Sequence, residues 1–160
     1  MKLEALNAHV ERLLKRATGI DELKTDDKGE WLGFPFGRIV EHVRVVDYEQ
    51  PRAFIYGVVA TGVEAKPDLF EYLNEVNSQI RYCRAYLLQG TVYVEIELLG
   101  EALDYDEFAN AMTAIADAGN TFGPVIVERF GGELAVAPPA DKDDEAAKPE
   151  AHDRLVGPYL

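Results

Sequence analysis

The chain has 160 residues, of which 48% are hydrophobic, and it carries a net charge of −13 at neutral pH. This length suits one domain with a substantial core and is short for two. The negative charge repels phosphate backbones and anionic lipid head groups, so we expect no binding to nucleic acid or to membranes. A single cysteine excludes an internal disulfide framework and favours a reducing compartment. The charged, amphipathic N-terminus resembles neither a signal peptide nor a membrane span, which predicts a cytoplasmic protein.

The first third of the chain changes from a helical to a strand-like pattern. Apolar residues at alternating spacings of three and four predict a helix over residues 3–17, which Gly19 ends. Residues 20–62 then read as about three strands in a meander. Pro35 lies in the first of these strands, and proline suits an edge strand or a bulge.

The second half repeats the change from helix to strand and back. Pro67 and Asp68 predict the start of a second helix, with Asp68 as its N-cap acid. A β-hairpin is expected over residues 82–98. A third helix should begin at Asp104, where a capping-box pattern occurs, and Pro124 should kink or restart it.

The predicted order of elements is α-β-β-β-α-β-β-α. This order predicts an α+β fold, with an antiparallel sheet packed by helices, over residues 1–132. Residues 133–160 are acidic, and from Pro138 onward they are polar, charged and proline-bearing, which is typical of a disordered C-terminal tail.

The third predicted strand is apolar on both of its faces. Phe54, Tyr56 and Val58 alternate on one face, and small or aliphatic residues occupy the other. A sheet with one face in water should alternate with polar residues. A partner subunit, a ligand or the tail would therefore cover the second face. Alternatively, this is a central strand with a hydrophobic outer side, and the pattern leaves both interpretations open.

The hairpin decides how we interpret Cys83, which lies between two arginines and could be an activated thiol. If residues 89–90 form a two-residue turn, Cys83 faces Ile96 on the core side of the sheet. Arg84 then points to the opposite side, where it pairs with Glu95. A thiol among aliphatic side chains has a raised pKa, so we interpret Cys83 as a structural residue. Tyr82, Tyr86 and Tyr93 are left facing outward.

The chain lacks the residue patterns of common catalytic centres. Its one serine, Ser78, lies in a predicted helix and in no nucleophile-elbow motif. The three histidines, His9, His42 and His152, have no second ligand at metal-binding spacing. Glycine-rich phosphate-binding loops are missing as well. We therefore expect no enzymatic activity, no cofactor and no metal site.

One segment nevertheless resembles a known family. The stretches "LFEYLNEVNSQIRYCRAYL", "VYVEIEL" and the long helix closing on "ERFGG", within residues 69–132, resemble the YbjN-like family of the type III secretion chaperone-like superfamily. The segment "GEWLGFPFGRIVEHVRVV" is similar to the early strands of that family. The resemblance implies the same α-β-β-β-α-β-β-α fold. It also implies a small acidic protein, often dimeric, that binds peptides or acts in regulation.

The sequence therefore favours a non-enzymatic, chaperone-like or regulatory protein that binds a protein or peptide and acts as a homodimer. An alternative is a regulator that senses a small molecule in a pocket between helix 1 and the sheet. A thiol enzyme acting through Cys83 is a third hypothesis. The expected partner-binding residues are aromatic or apolar: Phe54, Tyr56, Val58, Tyr82, Tyr86 and Tyr93.

Overall fold

Helices and strands follow one another in the predicted order, with one short strand added after the last helix. The structure, a computed structural model, describes residues 2–136. Its elements are α1 (Leu3–Thr18), β1 (Trp31–Phe36), β2 (Ile39–Val46), β3 (Arg52–Thr61), α2 (Pro67–Gln79), β4 (Arg84–Leu88), β5 (Thr91–Leu99), α3 (Tyr105–Phe130) and β6 (Glu133–Leu134). The predicted tail beyond residue 136 lies outside the described residues.

All strands within residues 2–136 belong to one antiparallel sheet. The strand order is β1-β2-β3-β5-β4, and β6 pairs with the end of β3. The chain thus returns to the sheet just past residue 132, where the sequence placed the end of the domain. β1 is an edge strand with a bulge between Trp31 and Phe34, as Pro35 predicted.

Two tight turns fix the register of the outer hairpins. Gly37 takes a φ of 66° between β1 and β2. Between β4 and β5, Gln89 and Gly90 have φ values of 50° and 77°, which is the pattern of a type I′ turn. Leu88 therefore lies opposite Thr91, and the predicted register of this hairpin is confirmed from that pair as far as Arg84.

The hydrophobic core lies on one face of the sheet, under the helices. An apolar stripe of α1 and another of α3 pack against alternate residues of the central strands. Each fully buried side chain of this size contributes about 1.5–3 kcal/mol relative to exposure. The largest fully buried apolar residues are Leu6, Val10, Leu14, Ile39, Val43, Ile55, Val59, Leu69, Phe108, Ile115 and Ile126.

Two glycines let α3 lie close to the sheet. A Cβ atom on Gly57 of β3 would lie 2.2 Å from Ile39 Cδ1 and 2.9 Å from Ile115 Cγ2. A Cβ atom on Gly119 of α3 would lie 2.4 Å from the same Ile39 methyl group. Ile39 therefore fills the space that the two missing side chains leave between sheet and helix.

The helix termini partly follow the sequence prediction. Gly19 ends α1 in the left-handed region, with a φ of 70°. Asp104 caps α3, and its Oδ1 accepts a hydrogen bond of 2.8 Å from the Glu107 N–H. The prediction for α2 is wrong by two residues, because Lys66 is the N-cap and Pro67 follows at the first helical position. α3 continues through Pro124 as one helix of 26 residues.

One acidic residue lies on the core side of the sheet. Glu41 of β2 is fully buried (0% exposed), opposite Gly57 of β3. Neither of its carboxylate oxygens has a hydrogen-bond partner among the described residues. Burial disfavours the charged form and raises the pKa of Glu41 to about 9. Glu41 is therefore a neutral acid at physiological pH.

Two further absences hold within residues 2–136. None of the helices there combines the length and hydrophobicity that crossing a bilayer requires. In the same part of the chain, His, Cys, Asp and Glu side chains form no group of three or more that could hold a metal ion.

Candidate functional site

The face of the sheet opposite the helices, called the outer face below, combines aromatic and charged side chains. No helix among residues 2–136 packs on it, and most of its residues are exposed or half-buried. They project from β2, β3, β4 and β5 at alternate positions, as the pleat requires. They are His42, Arg44, Arg52, Phe54, Tyr56, Val58, Arg84, Tyr86, Tyr93, Glu95 and Glu97.

An aromatic row crosses the outer face over four strands. His42 of β2 stacks on Tyr56 of β3, with ring centroids 5.0 Å apart. Tyr56 meets Tyr93 of β5 edge to face at 6.1 Å, and Tyr93 stacks on Tyr86 of β4 at 5.6 Å. Tyr93 and Tyr86 are direct cross-strand partners, whereas Tyr56 and Tyr93 are diagonal neighbours. The row offers a continuous set of ring faces and edges to a binding partner.

Carboxylates hold two of these tyrosines in place. The Tyr86 hydroxyl donates to Glu95, and the Tyr56 hydroxyl donates to Glu30. Burial raises the pKa of both phenols, and the hydrogen bonds to the carboxylates raise it further. The two tyrosines therefore remain protonated donors at physiological pH, and their rings have fixed orientations.

Ion pairs surround the aromatic row. Arg84 Nε donates to Glu95 at 2.9 Å, which confirms the predicted cross-strand pair. Arg52 lies 2.6 Å from Glu97, and Arg84 lies 3.6 Å from the same carboxylate. The Arg84 side chain is 65% exposed, so its pairs add little to the free energy of unfolding. Acids and bases balance one another in this network.

The second apolar side of β3 is covered in part by the chain itself. Phe54 is only 4% exposed, because the Tyr48 ring meets it edge-on at 6.2 Å and the Arg44 guanidinium lies 5.1 Å from its centroid. Tyr56 and Val58 remain half-buried. Beside Phe54 lies an open cavity of about 480 Å³, which Arg84 and Tyr86 help to line. Of the predicted binding residues, Phe54 is therefore the least accessible.

Tyr82 does not belong to this cluster, and the prediction that placed it there is wrong. β4 begins at Arg84, so Tyr82 lies in the loop before the strand and forms no ladder pair with Glu97. Its φ is 65°, which is rare for a tyrosine, and its side chain is 89% exposed. This turn of the backbone directs Tyr82 toward the helix side of the sheet, where it lines a groove along α3.

Cys83 shares this loop. The residue is half-buried, and its Sγ donates to the Arg81 carbonyl oxygen at 3.3 Å. Burial raises the pKa of the thiol, in agreement with the structural interpretation from the sequence. Cys83 precedes the strand, so its predicted ladder pair with Ile96 does not form, although both residues line a small cavity at the strand's start.

Sequence reasoning missed several residues that complete the site. Asn77 of α2 bonds the backbone of Ala85 at the free edge of β4. Two loop residues also contact the outer face: Glu30 accepts a hydrogen bond from Tyr56, and Tyr48 packs against Phe54. From β2, the Arg44 guanidinium lies over the Phe54 ring. Polar and apolar residues alternate over 40–46 in the sequence. Because no tight turn joins β2 to β3, the sequence did not show which residues of the two strands lie opposite each other.

Solved structures of similar fold include a chaperone-effector complex and a complex of a type III secretion chaperone. The ExsC-ExsE complex contains a chain with a TM-score of 0.62 and 17% identity, covering 76% of this chain and 96% of that one. A chain of the HopA1-SchA chaperone-effector complex gives a TM-score of 0.58 and 14% identity, with 74% and 95% covered. A chain of the complex between the Yersinia pestis type III secretion chaperone SycH and a stable fragment of YscM2 has a TM-score of 0.55 and 13% identity. The match covers 72% of this chain and 98% of that one.

These identities show the fold and carry no information on the partner. A comparison with curated proteins finds no match. A family model describing T3SS (YopN, CesT) and YbjN peptide-binding chaperones matches residues 4–138. The resemblance noted in the sequence is thereby confirmed, and the chain belongs to this family of peptide-binding chaperones.

Proposed function

We propose that this protein is a non-enzymatic, cytoplasmic chaperone-like protein that holds an extended segment of a partner protein on its outer face. The observation that carries the proposal is the aromatic row of Tyr56, Tyr93 and Tyr86 on a sheet face that no helix within residues 2–136 covers. Tyrosine combines a large apolar ring with a polar tip and loses little conformational entropy on binding. The family description and the chaperone-effector complexes of similar fold support the same function.

The partner contacts side chains of the outer face rather than adding a strand to the sheet. At the edge strand β4, Asn77 already bonds both backbone groups of Ala85. At the edge strand β1, Pro35 lacks an N–H group, and Thr25 forms a bridge to Trp31. Strand addition would have to displace these contacts, whereas the ring faces of the outer face are already accessible.

The protein acts as a homodimer in this proposal. The outer face suits self-association because Arg44, Arg52 and Arg84 are matched by Glu95, Glu97 and the adjoining Glu30, so two copies can meet without net repulsion. Val58 lies in the half-buried centre of this face, beside Tyr93 in the ladder.

Three variants test the proposal. Tyr86→Ala and Val58→Asp alter the outer face, and Phe70→Ala alters an exposed aromatic residue of α2 as a matched control. We expect the first two to lower partner capture or the solution mass while the thermal unfolding curve stays cooperative. Phe70→Ala should change neither. Unchanged capture and unchanged mass in both outer-face variants would contradict the proposal.

A small-molecule sensor with a pocket under helix 1 has less support. Residues Leu6, Val10, Leu13 and Leu14 of α1 are buried in the core, and α1 contributes no residue to the cavities along α3, on the outer face or at the start of β4.

A further inference from the structure

A groove runs along α3 on the helix side of the sheet, away from the outer face. Two adjoining cavities of about 430 and 610 Å³ share Tyr82, Asn110 and Ala114 and together extend from Asp104 to Phe122. At 1.5 Å per helical residue this is about 27 Å, the length of about eight residues of extended chain. The groove is therefore long enough for a peptide segment rather than a single side chain.

The floor of the groove is apolar. Ile96 and Leu98 of β5 contribute to it, and the adjoining positions of α3 are small, namely Ala111, Ala114 and Ala118. Small residues keep the space between α3 and the Tyr82 loop open. Apolar side chains of a bound segment can reach β5 through this space.

Tyr82 stands at the midpoint, where the two cavities meet. Its backbone is held at a φ of 65°, and its ring is 89% exposed although the residue lines both cavities. A non-glycine residue in this conformation costs stability, and such strain occurs often at binding sites. A segment lying in the groove would cover the ring and remove its apolar surface from water.

The walls of the groove are acidic. Asp104, Asp106, Glu107 and Asp117 line it, against Arg81 as the one base among the lining residues. The first three stabilise the N-terminus of α3 through its dipole, but Asp117 lies in mid-helix and has no such role. None of the four forms an ion pair with another residue in the range 2–136. A cationic segment would neutralise these charges.

Two alternative occupants of the groove, a second copy of this chain and the chain's own C-terminal residues, fit less well. An isologous contact between two copies would place these carboxylates opposite one another. The chain's own residues 137–160 contain six acids and three bases, so their charge has the same sign as that of the groove. Charge complementarity thus favours a partner that carries lysine or arginine beside apolar side chains.

The groove also connects with the outer face. A notch of about 330 Å³ at the start of β4 shares Tyr82, Cys83 and Ile96 with the groove. It shares Arg84 and Glu95 with the cavity on the outer face. One extended segment can therefore pass around the start of β4 from one surface to the other.

We propose that the α3 groove, between the Tyr82 loop and α3, binds a partner segment that alternates apolar with basic side chains. This inference rests on the proposed peptide-binding function and deepens it by assigning a second surface and the charge of its ligand. Apolar side chains contact Ile96, Leu98 and Tyr82. Lysine or arginine side chains pair with Asp106, Glu107 and Asp117.

Defined peptides test the proposal. The probe is a fluorescent peptide of about ten residues that alternates leucine and lysine, a length that fills the groove in extended form. Its controls are a leucine–glutamate and a serine–lysine peptide of the same length. Binding to the full chain is followed by fluorescence anisotropy at several salt concentrations, and the site is located by NMR shifts of the backbone amides.

We expect the leucine–lysine peptide to bind better than both controls and to shift the amides of residues 81–83 and 110–121. The paired variant Asp106→Asn with Asp117→Asn should weaken binding by roughly fivefold, the effect of two exposed ion pairs, and the loss should shrink at high salt. Ala114→Trp should abolish binding by filling the groove. Phe70→Ala, an exposed position of α2 that lines neither the groove nor the outer face, should leave the affinity for this short peptide unchanged.

Three results would overturn the proposal: equal binding of the leucine–glutamate peptide, amide shifts confined to the outer face, or a lower solution mass of Ala114→Trp, which would make the groove an interface between copies. If none of the peptides binds while partner capture still depends on Tyr86, the groove is not a binding site and the proposed function of the outer face stands. Failure of capture to depend on Tyr86 refutes the proposed function instead.

Discussion

Asn77 closes the free edge of β4 by bonding both backbone groups of Ala85. The Ala85 N–H donates to Asn77 Oδ1 at 2.7 Å, and Asn77 Nδ2 donates to the Ala85 carbonyl oxygen at 2.9 Å. One amide side chain thus occupies the place of a neighbouring strand. Since an open edge invites pairing with other chains, this contact protects the sheet from unwanted association.

Replacement of Asn77 should expose that edge. We expect Asn77→Leu to lower the free energy of unfolding by about 1–3 kcal/mol, because the two backbone groups lose their partners. Urea denaturation measures the loss, and light scattering at rising concentration measures association. Asn74→Ala, an exposed position in the same helix, is the control. Equal effects of the two variants would contradict this role for Asn77.

The buried carboxyl group of Glu41 makes the stability depend on pH. Its pKa is about 9 in the folded protein and 4.5 in the ordinary state, so the folded protein binds an extra proton between these values. Stability is therefore fully present below about pH 4.5 and falls as the pH rises through 9, by at most about 1.4 kcal/mol per pH unit.

Glu41→Leu should remove this dependence. We expect the variant to gain stability over the natural chain as the pH rises from 5 to 9, measured by denaturant unfolding at each pH. Glu71→Gln, an exposed position on α2, should show no such trend. A difference between Glu41→Leu and the natural chain that stays constant with pH would show that Glu41 is charged when buried.

The phenols of Tyr56 and Tyr86, which are hydrogen-bonded to carboxylates, should ionise at a higher pH than ordinary tyrosines. Absorbance at alkaline pH follows phenol ionisation, and Tyr56→Phe and Tyr86→Phe should each remove a component from the high-pH end of the titration. The reason is the raised pKa of these phenols, caused first by burial and then by their hydrogen bonds to carboxylates. Tyr82→Phe, at an exposed phenol, should leave the late component in place. Loss of an early component in the Tyr86 variant would refute this assignment.

Cys83 should react slowly in the native protein. Burial raises the pKa of its thiol, so less thiolate is available to attack a disulfide reagent. We expect slow labelling of the native chain at neutral pH and fast labelling after denaturation, followed by the release of thionitrobenzoate. Rapid native labelling would instead support the thiol-enzyme hypothesis.

Local chemistry explains which parts of the site could be predicted. The Arg84–Glu95 pair followed from the two-residue turn at 89–90, because a tight turn fixes the register of its hairpin. The contact of His42 with Tyr56 did not follow, because a longer loop joins β2 to β3 and leaves their register open in the sequence. The order of the elements was predictable because the periodicity changes sharply at glycine and proline residues.

Tyr82 shows a different limit of prediction. Extending the hairpin register back from the turn at 89–90 placed Tyr82 on the outer face. In the structure, the positive φ of Tyr82 interrupts the extended backbone, and β4 begins only at Arg84. The sequence gives no sign of this turn, because tyrosine rarely adopts a positive φ. Asn77 likewise resembled any other polar residue on a helix, and its role depends on where α2 packs against β4.

The close contact of Gly57 and Gly119 with Ile39 has a consequence for how relatives of this chain can differ. Neither glycine lines the α3 groove, yet together they determine how near α3 approaches the sheet. A side chain at either position would lift the helix that carries Ala114 and Asp117 and so change the width of the groove. Ligand preference can therefore diverge through substitutions in the core, while every residue that touches the ligand stays the same.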